Sequence, residues 1–181
     1  VVDTLDIIAA GADSDYLVWN LTTSFNITIT NAMSIEWAGG RDAADVINAS
    51  AISNFIELQG NGGSDILRAG SGGSILLGGG GTDQLFGGGG TDHFVGFTEA
   101  DSFAVDAGGG TDYVYDFVLS TDKLDLTLLA DNGIHGLADL VVNTSYGAAS
   151  GWWGYSYGTG TIWVNTGLGN GQLAAADMLF A

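Results

Sequence analysis

Cysteine and proline are both absent from this chain of 181 residues, and its basic side chains are limited to Arg41, Arg68 and Lys123. Without cysteine there is no disulfide framework and no thiolate chemistry. Without proline the turns must be made by glycine, of which there are 31. Three basic residues against 21 acidic ones leave a formal net charge of −18. Affinity for phosphate backbones and anionic lipid comes from Lys and Arg, so nucleic acid and anionic membranes are unsuitable partners. The same imbalance makes the compact state repel itself at neutral pH unless it binds counter-ions. No apolar run is long enough to span a bilayer, and no charged-then-apolar leader opens the chain. Because it starts at Val1, the chain reads as a mature form or a proteolytic product.

Familiar catalytic patterns are missing too. HExxH and GxxxxGK[ST] do not occur, and the one GxSxG string, GYSYG at 154–158, falls inside a strand pattern and not at a strand-to-helix elbow. His93 and His135 have no neighbouring ligand or triad partner at useful spacing, and the three glutamates, Glu36, Glu57 and Glu99, stand apart from one another. The expectation is a protein that is not itself an enzyme.

What is present is a repeat. From Gly60 to Ala104 the chain reads as five consecutive nonamers, GNGGSDILR, AGSGGSILL, GGGGTDQLF, GGGGTDHFV and GFTEADSFA. The first half is rich in glycine in all but the last, and the sixth residue is an aspartate in four of the five. The last three residues centre on a large apolar one: Leu67, Leu76, Leu85, Phe94 or Phe103. In a three-residue strand the middle side chain points opposite to its neighbours, so one large residue per nonamer faces inward. A flexible glycine linker would not place an apolar residue at every ninth position. The pattern is that of a solenoid.

GGGGTDQLF and GGGGTDHFV match the pattern GGxGxDxUx, with U a large apolar residue, and in this they resemble the calcium-binding nonapeptides of RTX proteins. That resemblance implies an all-β fold, a parallel β-roll in which two nonamers make one turn and several Ca2+ ions sit between turns. The implied metal residues are Gly60, Gly62, Asp65, Gly78, Gly80, Asp83, Gly87, Gly89, Asp92, Asp101, Gly108, Gly110 and Asp112. Asp65, Asp83 and Asp101, spaced by eighteen, are expected to furnish the stronger edge. Opposite them, Asp92 looks back to Ser74, where a carboxylate is missing and a weaker or empty site is expected. The chemistry agrees, because calcium accepts six to eight oxygens from carboxylates and carbonyls in flexible geometry, whereas zinc favours the nitrogen and sulfur ligands lacking here.

Flanking segments divide the chain into 1–39, 40–115 and 116–181. In the first, VDTLDII and GADSDYLVW read either as eroded coils of the same roll, with Asp6 before Ile8 and Asp15 before Leu17, or as a plain β-hairpin cap; LTTSFNITIT alternates as a strand does. GRDAADVIN places Asp45 and Ile47 at the sixth and eighth positions, two residues out of frame, and DAGGGTDYVY repeats the motif around Asp112 and Val114. Calcium density is therefore expected to peak between Gly60 and Asp112.

DFVLSTDKLDL, from Asp116 to Leu126, and the closing GQLAAADMLFA resemble the C-terminal domains of serralysin-type proteases and bacterial alginate epimerase modules. The resemblance implies a β-rich C-terminal cap, export through a type I system, and a terminal calcium site drawing on Asp116, Asp122 or Asp125. LLADNGIHGLADL has short helical character. In GWWGYSYGTGTIW, Trp153, Tyr155 and Tyr157 fall on one face of a strand, with Trp163 across a turn at Gly158–Gly160. These rings could bind an extracellular polysaccharide by stacking, or cover the end of the roll or a protein interface.

Two functions are compatible with these features. One is a secreted, calcium-dependent structural, filament, surface-layer or adhesive protein that folds after export and self-associates. The other is a non-catalytic module of a secreted protease or of a polysaccharide epimerase or hydrolase, aiding secretion and gripping glycan.

Overall fold

The computed structural model of the chain describes residues 5–8, 15–19, 23–106, 108–146, 150–158, 160–167 and 171–181. The start of LTTSFNITIT and the residue between Gly158 and Gly160 lie outside the described residues. Two sheets face each other. The longer contains β1 (Leu5–Ile8), β2 (Tyr16–Trp19), β4 (Trp37–Gly39), β6 (Ile56–Gly62), β8 (Ser74–Gly80), β10 (Asp92–Thr98), β12 (Gly110–Val114), β16 (Gly160–Asn165), β15 (Trp152–Tyr157) and β14 (Val141–Tyr146), in that spatial order. The other contains β17 (Met178–Leu179), β13 (Lys123–Asp125), β11 (Ser102–Ala104), β9 (Gln84–Phe86), β7 (Ile66–Arg68), β5 (Val46–Asn48) and β3 (Asn26–Thr28).

From β2 to β13 the chain alternates between the sheets, and each strand pairs in parallel with the strand one full turn later. The result is an all-β solenoid of about five turns, a parallel β-roll. The strands pair only with the coils before and after, so the core is a column of stacked residues and not a globular cluster.

The column follows from the repeat. On the short sheet, Ile27, Ile47, Leu67, Leu85, Phe103, Leu124 and Met178 lie in register. On the long sheet, Leu17, Ala38, Leu58, Leu76, Phe94, Val114 and Val164 do the same. Leu67, Leu76, Leu85, Phe94 and Phe103, the eighth residues of the five nonamers, are all fully buried. Alternate nonamers serve alternate sheets. Burying each such side chain stabilises the roll by about 1.5–3 kcal/mol. Phe94 and Phe103 meet edge to face across the core, with ring centroids 6.0 Å apart.

At the N-terminal end both open readings apply. β1 pairs antiparallel with β2 as a hairpin, while β2 pairs in parallel with β4 as a coil of the roll. At the other end the hairpins β14–β15 and β15–β16 extend the long sheet, and β17 closes the short one against β13. Both sheets run past residues 39 and 115 without a break; those positions mark changes in sequence pattern. Short 3-10 turns occur at Asn31–Met33, Thr127–Asn132, Leu137–Asp139 and Ala175–Asp177.

Candidate metal centre: two acidic edges

Each nonamer turns a corner just before its strand, and the sixth residue sits in that corner. Along the first edge, between the long and the short sheet, Asp45, Asp65, Asp83, Asp101 and Asp122 follow one another, all buried. Each carboxylate accepts a backbone N–H from the coil before it. Asp45 donates to Asp65 Oδ1 at 2.7 Å, Asp65 to Asp83 Oδ1 at 2.8 Å, Asp83 to Asp101 Oδ1 at 2.9 Å, and Asp101 to Asp122 Oδ1 at 3.1 Å. The predicted series Asp65, Asp83, Asp101 is thus extended by one aspartate at each end. These two additions lie 20 and 21 residues from their neighbours, which is why a strict period of nine does not find Asp45 in frame.

The second edge is shorter. Asp92 N–H donates to Asp112 Oδ1 at 3.2 Å, and Ser74 Oγ donates to Asp92 Oδ1 at 2.7 Å. One coil before Ser74 the corresponding residue is Ile56, and beyond Asp112 it is Ile162. Further along the same column stand Glu36 and Asp15, where the Asp15 N–H donates to Glu36 Oε2 at 2.7 Å. Ile56 and Ser74 therefore separate two acidic pairs, and the Ser74 hydroxyl is fully buried as a donor to Asp92.

One oxygen of each central carboxylate has no such partner. Oδ2 of Asp65, Asp83 and Asp92 is buried with no hydrogen-bond partner, and an orphaned carboxylate oxygen is costly. The surroundings explain the repeat's first glycine. A β-carbon on Gly78 or Gly87 would collide with Oδ2 of its own repeat's Asp83 or Asp92, and one on Gly60 would collide with Asp65 Oδ2 and approach the Gly78 carbonyl oxygen to 2.5 Å. At Gly40 the same β-carbon would meet Asp45 Oδ2 at 2.5 Å and the Gly60 carbonyl oxygen at 2.7 Å. A carboxylate oxygen and a carbonyl oxygen from the next coil thus converge on the space beside one α-carbon. The nonamer with serine in sixth place is also the one that begins with alanine, Ala69, where no carboxylate needs the room.

The other predicted glycines lie along the same corners. Gly62 and Gly80 pair at the ends of β6 and β8. Gly89 and Gly108 lie against each other one coil apart, and Gly110 opens β12 opposite Gly90. At Gly79, φ is +114°, and a β-carbon would run into the Asn61 carbonyl oxygen one coil back. Only glycine accommodates both.

Electrostatics point the same way. Burial pushes the Asp65, Asp101 and Asp112 carboxyls up to about 7 and that of Asp92 up to about 8. Burial raises Asp45, Asp83 and Asp122 as well. Lys123 beside Asp122 partly offsets its rise. Among the described residues no three His, Cys, Asp or Glu side chains form a metal cluster by themselves. The donor set is instead one carboxylate per coil with backbone carbonyls, all oxygen, as calcium prefers over zinc. The residues present fit that ion.

Of the three candidates for a terminal site, Asp122 joins the first edge. Asp116 accepts the N–H groups of Gly96 and Phe97 at 3.1 and 2.8 Å, and Asp125 accepts that of Thr127 at 2.9 Å.

The aromatic contact face needs correction. Trp153, Tyr155 and Tyr157 do share a face, but it is the core face: Tyr155 and Tyr157 are fully buried, and Trp153 packs against the core. Tyr157 Oη donates to Asp112 Oδ2 at 3.2 Å, and Tyr155 Oη accepts the Leu173 N–H at 2.7 Å. Burial pushes the Tyr155 hydroxyl up to about 12 and raises that of Tyr157 further, so Tyr157 remains a donor to Asp112. Strand alternation fixed which residues go together but not which side faces in. Of the four rings, Trp163 is on the outer face, lying over Gly154, whose β-carbon would strike the indole at 2.8 Å.

Parallel coils, corners lined by carboxylates and carbonyls, and one apolar residue per repeat define a calcium-binding β-roll. Residues 59–94 match the family model described as the RTX calcium-binding nonapeptide repeat in four copies. The match covers the central coils, so the chain carries RTX-type calcium-binding repeats within an all-β solenoid. Among curated proteins none matches the chain. RTX repeat proteins are typically extracellular and their repeat domains generally non-catalytic, and no helix among the described residues is long and apolar enough to cross a membrane.

Proposed function

We propose that this chain is a secreted structural or adhesive β-roll that becomes ordered by binding several calcium ions after export, and that does no chemistry of its own. The observation that carries the reading is the set of buried, unpartnered Oδ2 atoms on Asp65, Asp83 and Asp92. A bound divalent cation would neutralise them and tie successive coils together. Asp45, Asp65, Asp83, Asp101 and Asp122 on one edge, and Asp92 and Asp112 on the other, would hold the ions with the carbonyl groups of the glycine-rich corners. A net charge of −18 would be reduced by two with each ion bound, coupling folding to metal.

Export by a type I system and self-association belong to the same reading. A calcium titration followed by far-UV circular dichroism and equilibrium dialysis tests the first part: β-structure should appear cooperatively with uptake of several ions. A chain that stays folded at neutral pH in excess EGTA without retaining calcium would refute it. Light scattering in millimolar calcium tests assembly, which predicts a mass that grows with concentration; a constant monomer mass would leave calcium binding intact and remove the structural role. The accessory-module alternative rests on the segment Asp116–Leu126 and the closing LAAAD. Here β13, within the first segment, and β17, directly after the second, continue the short sheet.

A further inference from the structure

Outside the acidic edges, the outer surface of the long sheet carries an aromatic recess built from strands distant in sequence. Tyr113 follows Asp112 on β12, and Tyr115 lies one residue beyond that strand. Trp152 comes from β15 and Trp163 from β16. Together the four rings line a recess of about 350 Å³, at the lower end of the range for small-molecule sites. His93, on β10, stacks on both tyrosines, with ring centroids 5.3 and 5.7 Å away and interplanar angles of 11° and 19°. Its Nδ1 lies 2.8 Å from Tyr115 Oη, which fixes the tyrosine ring. Trp152 stands nearly perpendicular to the tyrosines, at 80° to Tyr113 and 88° to Tyr115.

We propose that this recess binds a quaternary ammonium group, the trimethylammonium head of a choline-like ligand. Three features favour a cation over a sugar. Rings set at right angles form a corner that presents π-surfaces to one compact occupant from two directions, whereas sugar stacking calls for an open flat platform. The four lining residues are all aromatic, and Tyr115 Oη is already engaged by His93, so few polar groups remain to read hydroxyls. The chain's charge of −18, with no basic residue among the lining side chains, draws cations and repels acidic polysaccharides. A quaternary ammonium needs no hydrogen bond and is held by ring faces alone. This site is separate from the calcium edges and goes beyond the structural role.

The test is a fluorescence and calorimetric titration of the whole chain in saturating calcium with choline, with its uncharged carbon isostere 3,3-dimethylbutan-1-ol, and with glucose. Choline should quench tryptophan emission saturably, and the isostere should bind about tenfold more weakly or worse, the difference being the cation–π contribution. Trp152→Leu should weaken choline by about tenfold, and Leu128→Ala, at an exposed apolar residue outside the recess, should not. Circular dichroism in calcium confirms that the variants are folded; if Trp152→Leu is not, the choline-to-isostere ratio of the unaltered chain decides alone. Co-sedimentation with phosphatidylcholine vesicles, set against free choline, separates a lipid headgroup from a soluble ligand as its source. Equal affinity for the isostere, binding of glucose without choline, or no choline binding would overturn the proposal.

Discussion

Protons should substitute for calcium in folding this chain. In the roll, burial holds Asp65, Asp101 and Asp112 near 7 and Asp92 near 8, against about 3.9 for an unfolded aspartate. Between those values the folded state binds more protons than the unfolded one, so stability without metal is highest below about pH 4 and is lost as pH rises toward about 8. Each unit corresponds to about 1.4 kcal/mol, so a rise to about 7 is worth roughly 4 kcal/mol per carboxyl when fully ionised. Halving the four contributions, because corner carboxylates lie near solvent, still leaves roughly 8–9 kcal/mol. That is comparable with the whole net stability of a typical domain, about 5–15 kcal/mol.

In excess EGTA the chain should therefore be largely unfolded at pH 8 and regain far-UV β-signal and tryptophan burial near pH 5. With calcium it should stay folded across that range and release protons when the metal is added near pH 7. Molar NaCl provides the control: it screens repulsion between surface charges but leaves the cost of buried carboxylates, so it should not replace acid. A chain folded in EGTA at pH 8, or rescued as well by salt as by acid, would refute the reasoning.

Other substitutions probe single features. Ser74→Asp alone should lower stability and add no ion, because Ala69 occupies the room a carboxylate needs; Ala69→Gly with Ser74→Asp should bind one further calcium, read by dialysis stoichiometry. Phe103→Ala should cost about 3–5 kcal/mol in calcium-loaded denaturant melts, since the ring is fully buried between Phe94 and Phe117. Tyr157→Phe leaves Asp112 Oδ2 without its donor and should cost about 1–3 kcal/mol in the same assay; an unchanged midpoint would mean the hydroxyl is dispensable. Gly79→Ala should destabilise by well over the roughly 1 kcal/mol of an ordinary glycine exchange, because positive φ and the Asn61 carbonyl both oppose it.

The period of nine was enough to place Leu67, Leu76, Leu85, Phe94 and Phe103 in the core, and the eighteen-residue spacing enough to align Asp65, Asp83 and Asp101. Both properties are local to the repeat, where geometry repeats as faithfully as sequence. Asp45 and Asp122 escaped the frame because their coils span 20 and 21 residues while the corner stays in register. The shortness of the second edge was hidden because the coil before Ser74 puts Ile56 there, outside the run of nonamers. For Tyr155 and Tyr157, alternation defined a face but left its direction open, and direction was decided by Asp112 and Leu173 offering partners inside. The recess around Trp152 and Tyr113 left no mark in the sequence at all, since it exists only when β10, β12, β15 and β16 lie side by side.

The side-chain hydrogen bonds along the first edge point one way, and the backbone bonds beside them point back: the Ile66, Gln84, Ser102 and Lys123 N–H groups donate to the carbonyls of Asp45, Asp65, Asp83 and Asp101 at 2.8–2.9 Å. Every aspartate N–H from Asp45 to Asp101 is satisfied by the carboxylate of the coil that follows it, and the last carboxylate, Asp122, also accepts the Val118 N–H at 2.7 Å within its own coil. Each internal corner is therefore closed from both sides, by the carboxylate of the coil that follows and the carbonyl of the coil before. Truncation from the C-terminus leaves the last remaining aspartate N–H without its carboxylate, and truncation from the N-terminus leaves the first remaining strand N–H without its carbonyl, so neither cut spares the corner it exposes.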